Sequence, residues 1–373
     1  MGIKPGKMEN MVIENILATF KDKRVFITGH TGFKGSWLSY VLANAGAIIR
    51  GYAFAPDTKP SLYNHIAPDI KIDSVIADIN NHQRVEQEIL SFSPDFIFHL
   101  AAQPLVRESY KEPLNTFSTN IIGTANVLNA LQKLSKPCTC IFITTDKVYE
   151  NKELDYAYNE TDRLGGHDPY SASKACAELV ISSYGNSFFN TTTFEQHKKG
   201  IASARAGNVI GGGDWSEDRL IPDIIRSIAA DKAIVIRNPR AVRPWQHVLE
   251  PIFGYLQLAQ ALATDVNKYG GAWNFGPTNA DNLPVLHIAE KAIAKWGKGE
   301  IDLQIDPDAV HEANLLKLDI SKAINELKWK PLMDTEKAVE RTIVWYKSFY
   351  EGNKTASALM KEDILFYQSL LNK

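Results

Sequence analysis

The chain has 373 residues, 45% hydrophobic and 23% charged, a balance that excludes disordered, collagenous and coiled-coil classes and leaves a folded globular protein. Lys plus Arg number 41 against 43 for Asp plus Glu, a net charge of −2, and no like-charge run marks a nucleic-acid or membrane-surface protein. Three cysteines, Cys138, Cys140 and Cys176, support neither a disulfide framework nor a zinc site, so no metal is expected and a reducing cytoplasm fits.

Residues 1–22 mix charge with a short apolar patch and lack the core of a signal peptide. They have no evident purpose. Short β-branched or aromatic runs at 24–28, 47–52, 96–100, 140–144 and 201–204 alternate with amphipathic segments, the rhythm of an α/β doubly wound parallel sheet. The stretch 113–132 carries no charge but is too polar to span a bilayer. Asp168-Pro169 reads as an N-cap followed by proline at the first helical position, and Gly185 as the stop, predicting a helix over 170–184. After Arg205 glycines and prolines break the chain into short elements. The expected organisation is a dinucleotide-binding unit over 20–206, rejoined by about 245–275, and a smaller lobe from 207–244 and 276–350.

Gly29-His30-Thr31-Gly32-Phe33-Lys34-Gly35 follows the first strand and opens a helix near Ser36. Glycines there let the backbone turn sharply and approach a pyrophosphate, whose charge sits on free N–H groups at the helix N-terminus. The acidic residue expected about 20 positions later, to grip the ribose hydroxyls, is missing from Arg50-Gly51-Tyr52-Ala53-Phe54.

Tyr170 and Lys174 are four apart and share one helix face. A tyrosine has a reference pKa of about 10, and a base working near neutrality needs it roughly three units lower, or about 4 kcal/mol. A lysine ammonium at ~4 Å in an effective dielectric of ~20 supplies that much, so Lys174 is expected to depress Tyr170. Arg219 and Arg243 offer planar donor forks for a diphosphate, and Asn208, after a glycine, can donate to it as well.

The Gly-x-x-Gly-x-x-Gly turn, Ala77-Asp78-Ile79, His99-Leu100-Ala101-Ala102, Asn120, Thr144-Thr145 and the Tyr170/Lys174 pair resemble the extended short-chain dehydrogenase/reductase families. Thr145-Asp146-Lys147, Ala101-Ala102-Gln103-Pro104-Leu105-Val106-Arg107, Arg205-Ala206-Gly207-Asn208, Arg237-Asn238-Pro239, Arg243-Pro244-Trp245-Gln246-His247 and His311-Glu312-Ala313 narrow this to the nucleotide-sugar 4,6-dehydratases, with lysine at 147 where those enzymes carry glutamate.

The resemblance implies an NAD-binding enzyme with a nucleoside diphosphate sugar as substrate, CDP-glucose by expectation, and a homodimer or homotetramer. It implies cofactor contacts from Gly29, Thr31, Gly32, Phe33, Lys34, Gly35, Asp78, Ile79, Leu100, Ala101, Ala102 and Asn120, and from Tyr170 and Lys174. It assigns the substrate to Gln103, Arg107, Asn208, Arg219, Arg237, Asn238, Arg243 and His311. In the implied cycle Tyr170 takes the carbon 4 hydroxyl proton, Thr145 bonds that hydroxyl, Lys147 takes the carbon 5 proton, and Asp146 protonates the departing carbon 6 hydroxyl.

Neutral Lys147 beside protonated Asp146 is the disfavoured tautomer by about 6.5 pKa units, roughly 9 kcal/mol in water. Either the site is closed and dry or Lys147 has another role. A dTDP-, UDP- or GDP-sugar dehydratase, a 4-epimerase and a non-catalytic dinucleotide sensor remain alternatives.

Overall fold

The computed structural model describes residues 13–243, 245–278, 283–304 and 316–371. Seven parallel strands, β1 (Arg24–Thr28), β2 (Ile48–Ala53), β3 (Ile72–Ile76), β4 (Phe96–His99), β5 (Cys138–Ile143), β6 (Lys199–Ala206) and β7 (Gly271–Phe275), form one sheet. Their order is β7-β6-β5-β4-β1-β2-β3, every pair parallel. Strand order reverses between β1 and β4, and in an open α/β sheet the crevice for a ligand opens at the carboxyl ends of the strands at such a point.

Both faces of the sheet are covered, so its central strands read as continuous apolar runs; all six residues of β5 are buried. Alternate residues feed two cores. Val25, Ile27, Phe98 and Ile141 pack with α1 (Phe33–Asn44) and α5 (Leu249–Thr264), whereas Phe26, Ile97, Cys140 and Phe142 pack with α2 (His82–Phe92) and α3 (Gly123–Lys133).

All five strands expected from sequence lie within two residues of their predicted ends, and 24–28 coincides. β3 was expected only as a strand-like segment ending at Ala77-Asp78-Ile79, without bounds of its own; it carries no fully buried residue. The first helix begins at Phe33, earlier than Ser36, because Gly35 belongs to its first turn: a Cβ there would stand 2.0 Å from Gly29 O. The helix predicted over 170–184 is α4 (Pro169–Ser187), capped as expected by the Asp168 carboxylate, which accepts from Ser171 N at 2.9 Å. Gly185 is not its stop. That glycine lies inside the helix where a Cβ would meet the Ile201 side chain at 3.3 Å, so its smallness serves close packing on β6.

The segment 245–275 supplies α5 and the edge strand β7. Short elements outside the sheet, among them the helix Leu220–Ala229, the paired strands Ile234–Ile236 and Ile301–Leu303, and the helix Val285–Trp296, share a cavity with residues that follow β1, β5 and β6. Among the described residues no helix is long and apolar enough to cross a membrane.

The N-terminal stretch has a packing role. Residues 13–18 are helical, Ile13 and Ile16 are buried, and the Phe20 ring lies 4.8 Å from Phe96 and 6.1 Å from Phe98. The Gln260 amide of α5 donates to Asn15 O at 3.0 Å and to Thr19 Oγ1 at 2.7 Å. Phe20 is fully buried, so Phe20→Ala is expected to lower unfolding free energy by about 3–5 kcal/mol, measured by urea titration followed by tryptophan fluorescence.

Candidate functional site

The glycine turn leaves β1 with Gly29 in the left-handed region (φ 76°), where a Cβ would come within 2.7 Å of Ala101 N. The N–H groups of Leu100 and Ala101 donate to Thr28 Oγ1 at 3.1 Å, joining the ends of β1 and β4. Gly32 caps α1 without any side-chain acceptor, which leaves the first-turn N–H groups to an anion. These features fit a dinucleotide pyrophosphate.

Thr31 Oγ1 donates to Phe54 O at 2.8 Å, and Phe54 itself, 59% exposed, stands just past β2. Asp78 and Ile79 follow β3. The Asp78 carboxylate accepts from Asn80 N, while Ile79 is buried and packs on Gly123. Asn120 spends its side chain on the Gln103 backbone, at 2.9 and 3.1 Å, and on Ser173 Oγ at 2.8 Å, so it ties the loop after β4 to α4 and has no free amide for a cofactor.

Gln103 also differs from expectation: its amide bonds Leu105 O and Thr116 Oγ1 and its carbonyl accepts from Leu105 N. A short loop rich in backbone polar groups needed that internal partner.

On α4, Tyr170, Lys174 and Glu178 lie one turn apart on a buried face, at 8%, 6% and 4% exposure. Lys174 Nζ donates to Ile143 O at 3.3 Å, at the end of β5. The chain then runs through Thr144 and Thr145 into a single 3-10 turn, Asp146–Val148. Thr145 Oγ1 donates to Asp146 Oδ1 at 2.9 Å, and Lys147 Nζ lies 6.0 Å from the Tyr170 ring centre.

Burial sets the protonation of these groups. It pushes the Asp146 carboxyl up, against the opposing pull of Lys147, Thr145 and Arg243. It lowers the Lys174 ammonium to about 8, with Glu178 opposing. Tyr170 is not depressed, contrary to expectation. Burial raises it to about 12; a Thr145 hydrogen bond opposes this, Asp146 adds to the rise, and Arg219 opposes it. Its partner lysine is directed at the β5 carbonyl instead.

A cavity of about 1700 Å³ opens over these groups. Phe33, Lys34, Thr145, Asp146, Lys147 and Tyr170 line it together with Arg107, Asn208, Arg219, Arg237, Asn238 and Arg243. Arg219 pairs with Asp214 at 2.8 Å, and Asp218 forms ion pairs with Arg107, at 3.3 Å, and Arg237, at 3.7 Å. His311 lies outside the described residues. Lys34 was expected against the pyrophosphate, and its ammonium senses the cavity floor as well. Burial, with Lys174 and Arg219, lowers it to about 7, while Asp146 and Asp214 oppose.

Sequence reasoning passed over Asp214, Asp218 and Glu178, although Glu178 could have been found as the next i, i+4 step after Tyr170 and Lys174.

A doubly wound sheet with this turn and a buried Tyr/Lys face defines a dinucleotide-dependent enzyme of the extended short-chain dehydrogenase type. The family profile described as GDP-mannose 4,6 dehydratase matches residues 26–342, and the chain belongs to that family. It is 47% identical over 333 residues to the CDP-glucose 4,6-dehydratase of Salmonella typhimurium, covering 89% of this chain and 93% of that one. It is 26% identical to the CDP-paratose 2-epimerase of Salmonella typhi, over 87% of this chain and 99% of the other.

Among solved structures, the dTDP-glucose 4,6-dehydratase of Streptomyces venezuelae with NAD bound superposes with a TM-score of 0.74 at 21% identity, covering 89% and 100% of the two chains. The UDP-glucose 4-epimerase of Thermotoga maritima gives 0.75 at 19% identity, covering 87% and 99%.

A lysine with a pKa of about 7 that faces a cavity is a neutral nucleophile at pH 7.5, whereas a surface lysine is over 99% protonated. Competitive labelling with acetic anhydride, read by peptide mass spectrometry, should modify Lys34 ahead of the surface lysines, with its rate falling as pH drops below 7.

Proposed function

We propose that this protein is an NAD-dependent hydro-lyase that converts CDP-D-glucose to CDP-4-keto-6-deoxy-D-glucose and water, a step toward deoxysugars of surface polysaccharides such as O-antigen. The observation that carries this reading is the convergence of Tyr170, Asp146 and Lys147 on one cavity beside the glycine turn. The name of the 47% identical relative supports the choice of sugar nucleotide.

Gly29, Thr31, Gly32, Phe33 and Gly35 would hold the dinucleotide, with Leu100, Ala101 and Ala102 as the wall beside it and Asp78 and Ile79 at the adenine. When bound, NAD supplies the hydride acceptor for carbon 4 and the hydride donor for carbon 6. Every proton step falls to the chain.

Tyr170 takes the carbon 4 hydroxyl proton, with Thr145 bonded to the same oxygen, once the Lys174 ammonium one turn away and the positive charge that bound NAD would bring offset the burial that holds the phenol protonated. The resulting ketone acidifies carbon 5, Lys147 takes that proton, and Asp146 gives its own to the carbon 6 hydroxyl, which leaves as water; a proton then returns to carbon 5. The rise of the Asp146 carboxyl on burial favours the acid form this step needs, and so reduces the tautomer cost that the pair would carry in water. Arg219, Arg243 and Asn208 would hold the diphosphate, with Arg107, Arg237 and Asn238 further along the cavity.

Self-association as a homodimer or homotetramer fits the exposed apolar side chains Leu114, Ile122 and Leu179, at 82%, 51% and 59%, and a cytoplasmic setting fits three unpaired cysteines. The dinucleotide-binding unit is taken to end near 206, with 207–244 and 276–350 contributing the sugar-nucleotide side.

Incubation with CDP-, dTDP-, UDP- and GDP-glucose, followed by the ultraviolet absorbance of a 4-keto sugar in alkali, tests the reaction and the base together. CDP-glucose should turn over fastest, and Tyr170→Phe should lower kcat by ~10² or more. Calorimetric titration should show NAD binding more tightly than NADP. Lys147→Met should form no product, should accumulate reduced cofactor absorbing at about 340 nm, and should leave recovered substrate without deuterium at carbon 5 in heavy water. Normal dehydration by Lys147→Met would remove lysine as the carbon 5 base.

A further inference from the structure

Adjoining Thr144 and Ala206, which line the cavity, is a buried ion pair that the reaction above does not use. Glu178 and Arg205 are each 4% exposed at the side chain and meet at 2.9 Å. Glu178 Oε2 accepts from Arg205 and from Ser203 Oγ at 2.8 Å, while Oε1 accepts from the Thr144 hydroxyl. Arg205 is fixed in turn: its Nη1 donates to Tyr149 Oη at 2.9 Å, and Tyr149 donates to Asn274 Oδ1 at 2.7 Å. One carboxylate therefore binds the residue before Thr145, the strand β6 and, through helical spacing, the neighbourhood of Lys174.

We propose that Glu178 is a positioning residue for the reaction: anchored by Arg205, it fixes the Thr144-Thr145-Asp146 segment through the Thr144 hydroxyl and provides the counter-charge to the Lys174 ammonium. The groups that bear on Lys174 come from four elements. Lys34 on α1, lowered to about 7, is neutral by the pH at which Lys174 titrates, and His99 on β4 is buried and neutral, its pKa down to about 3. Tyr170 stands one turn earlier on α4 and is protonated, and Asp146 lies on the turn packed against that helix with its carboxyl pushed toward the acid form. Glu178 is the charge that opposes the lowering of Lys174, and Arg205 has no direct effect on it.

A buried ammonium with no counter-ion loses its proton near neutral pH. This deepening rests on the reading above, in which the Lys174 ammonium favours the Tyr170 phenolate.

The sign follows. A step that needs Lys174 protonated fails as pH rises through its pKa of about 8, and removing the Glu178 charge moves that limb downward. Glu178→Gln keeps an acceptor for Arg205 and a donor for Thr144, whose hydroxyl can turn to accept, so geometry is preserved while charge is lost. With NAD saturating, the alkaline limb of kcat/KM for CDP-glucose should fall by about one pH unit, the scale of one buried charge at i, i+4 spacing. Glu178→Asp, which keeps the charge and shortens the reach, should leave the limb in place and lower kcat about tenfold.

An uncompensated Arg205 can unfold the single variant, so the pair Glu178→Gln/Arg205→Met, which leaves no buried ion unpaired, is made in parallel and should show the same downward shift. A folded Glu178→Gln or double variant whose limb coincides with wild type overturns the proposal, as does a Glu178→Asp limb that moves as far as the glutamine one. A wild-type enzyme inactive on CDP-glucose, or one with no alkaline limb, would instead overturn the functional reading beneath it.

Discussion

Burying a charged group takes it out of water at a cost that only a fixed partner offsets, and the carboxyl end of this sheet is arranged around that constraint. Lys174 and Asp146 are buried, Lys34 and Arg219 are partly so, and Lys34 feels the charges of the other three. Two carboxylates anchor them from below: Asp214 on Arg219, and Glu178 on Arg205. The strands set the distances. β5 presents the Ile143 carbonyl to Lys174 and then the Thr144-Thr145-Asp146 segment, while β6 presents Ser203 and Arg205 to Glu178. The rigidity of a seven-stranded sheet is thus transferred to a handful of protonation states.

How much of this was legible beforehand depended on whether a residue acts locally or through distant partners. The glycine turn, the Asp168 cap and the Tyr170/Lys174 spacing are local, and the structure places them as the sequence implied, apart from the earlier start of α1. The protonation of Tyr170 is not local. The spacing puts a lysine on the same helix face, but only the fold shows that its ammonium is directed at the β5 carbonyl and that burial dominates. Gln103 and Asn120 were misread for a related reason: a polar side chain beside a site is as able to satisfy the loop that carries it as a ligand, and sequence does not say which.

The 1–22 stretch looked purposeless because its apolar residues are few. Their partners, Phe96 and Phe98, are more than seventy positions away, and only the sheet brings them together. Conversely β3, with no fully buried residue, showed in the sequence only as a strand-like segment before Asp78, and its bounds come from its pairing with β2.

The order in which this sheet is built along the chain carries a consequence for synthesis. Six strands are complete once Ala206 has left the ribosome, yet β6, with seven of its eight residues buried in the finished protein, is an open edge until Gly271–Phe275 arrives to pair with it. Between those two moments an apolar row of unpaired N–H and C=O groups faces the medium, the kind of template that recruits strands from other chains. The stretch synthesised during that interval includes α5, which packs over β5 and β6 before the edge is closed. A nascent chain stalled after β6 would therefore expose a sticky margin, and truncations in this region select for aggregation ahead of loss of any catalytic group.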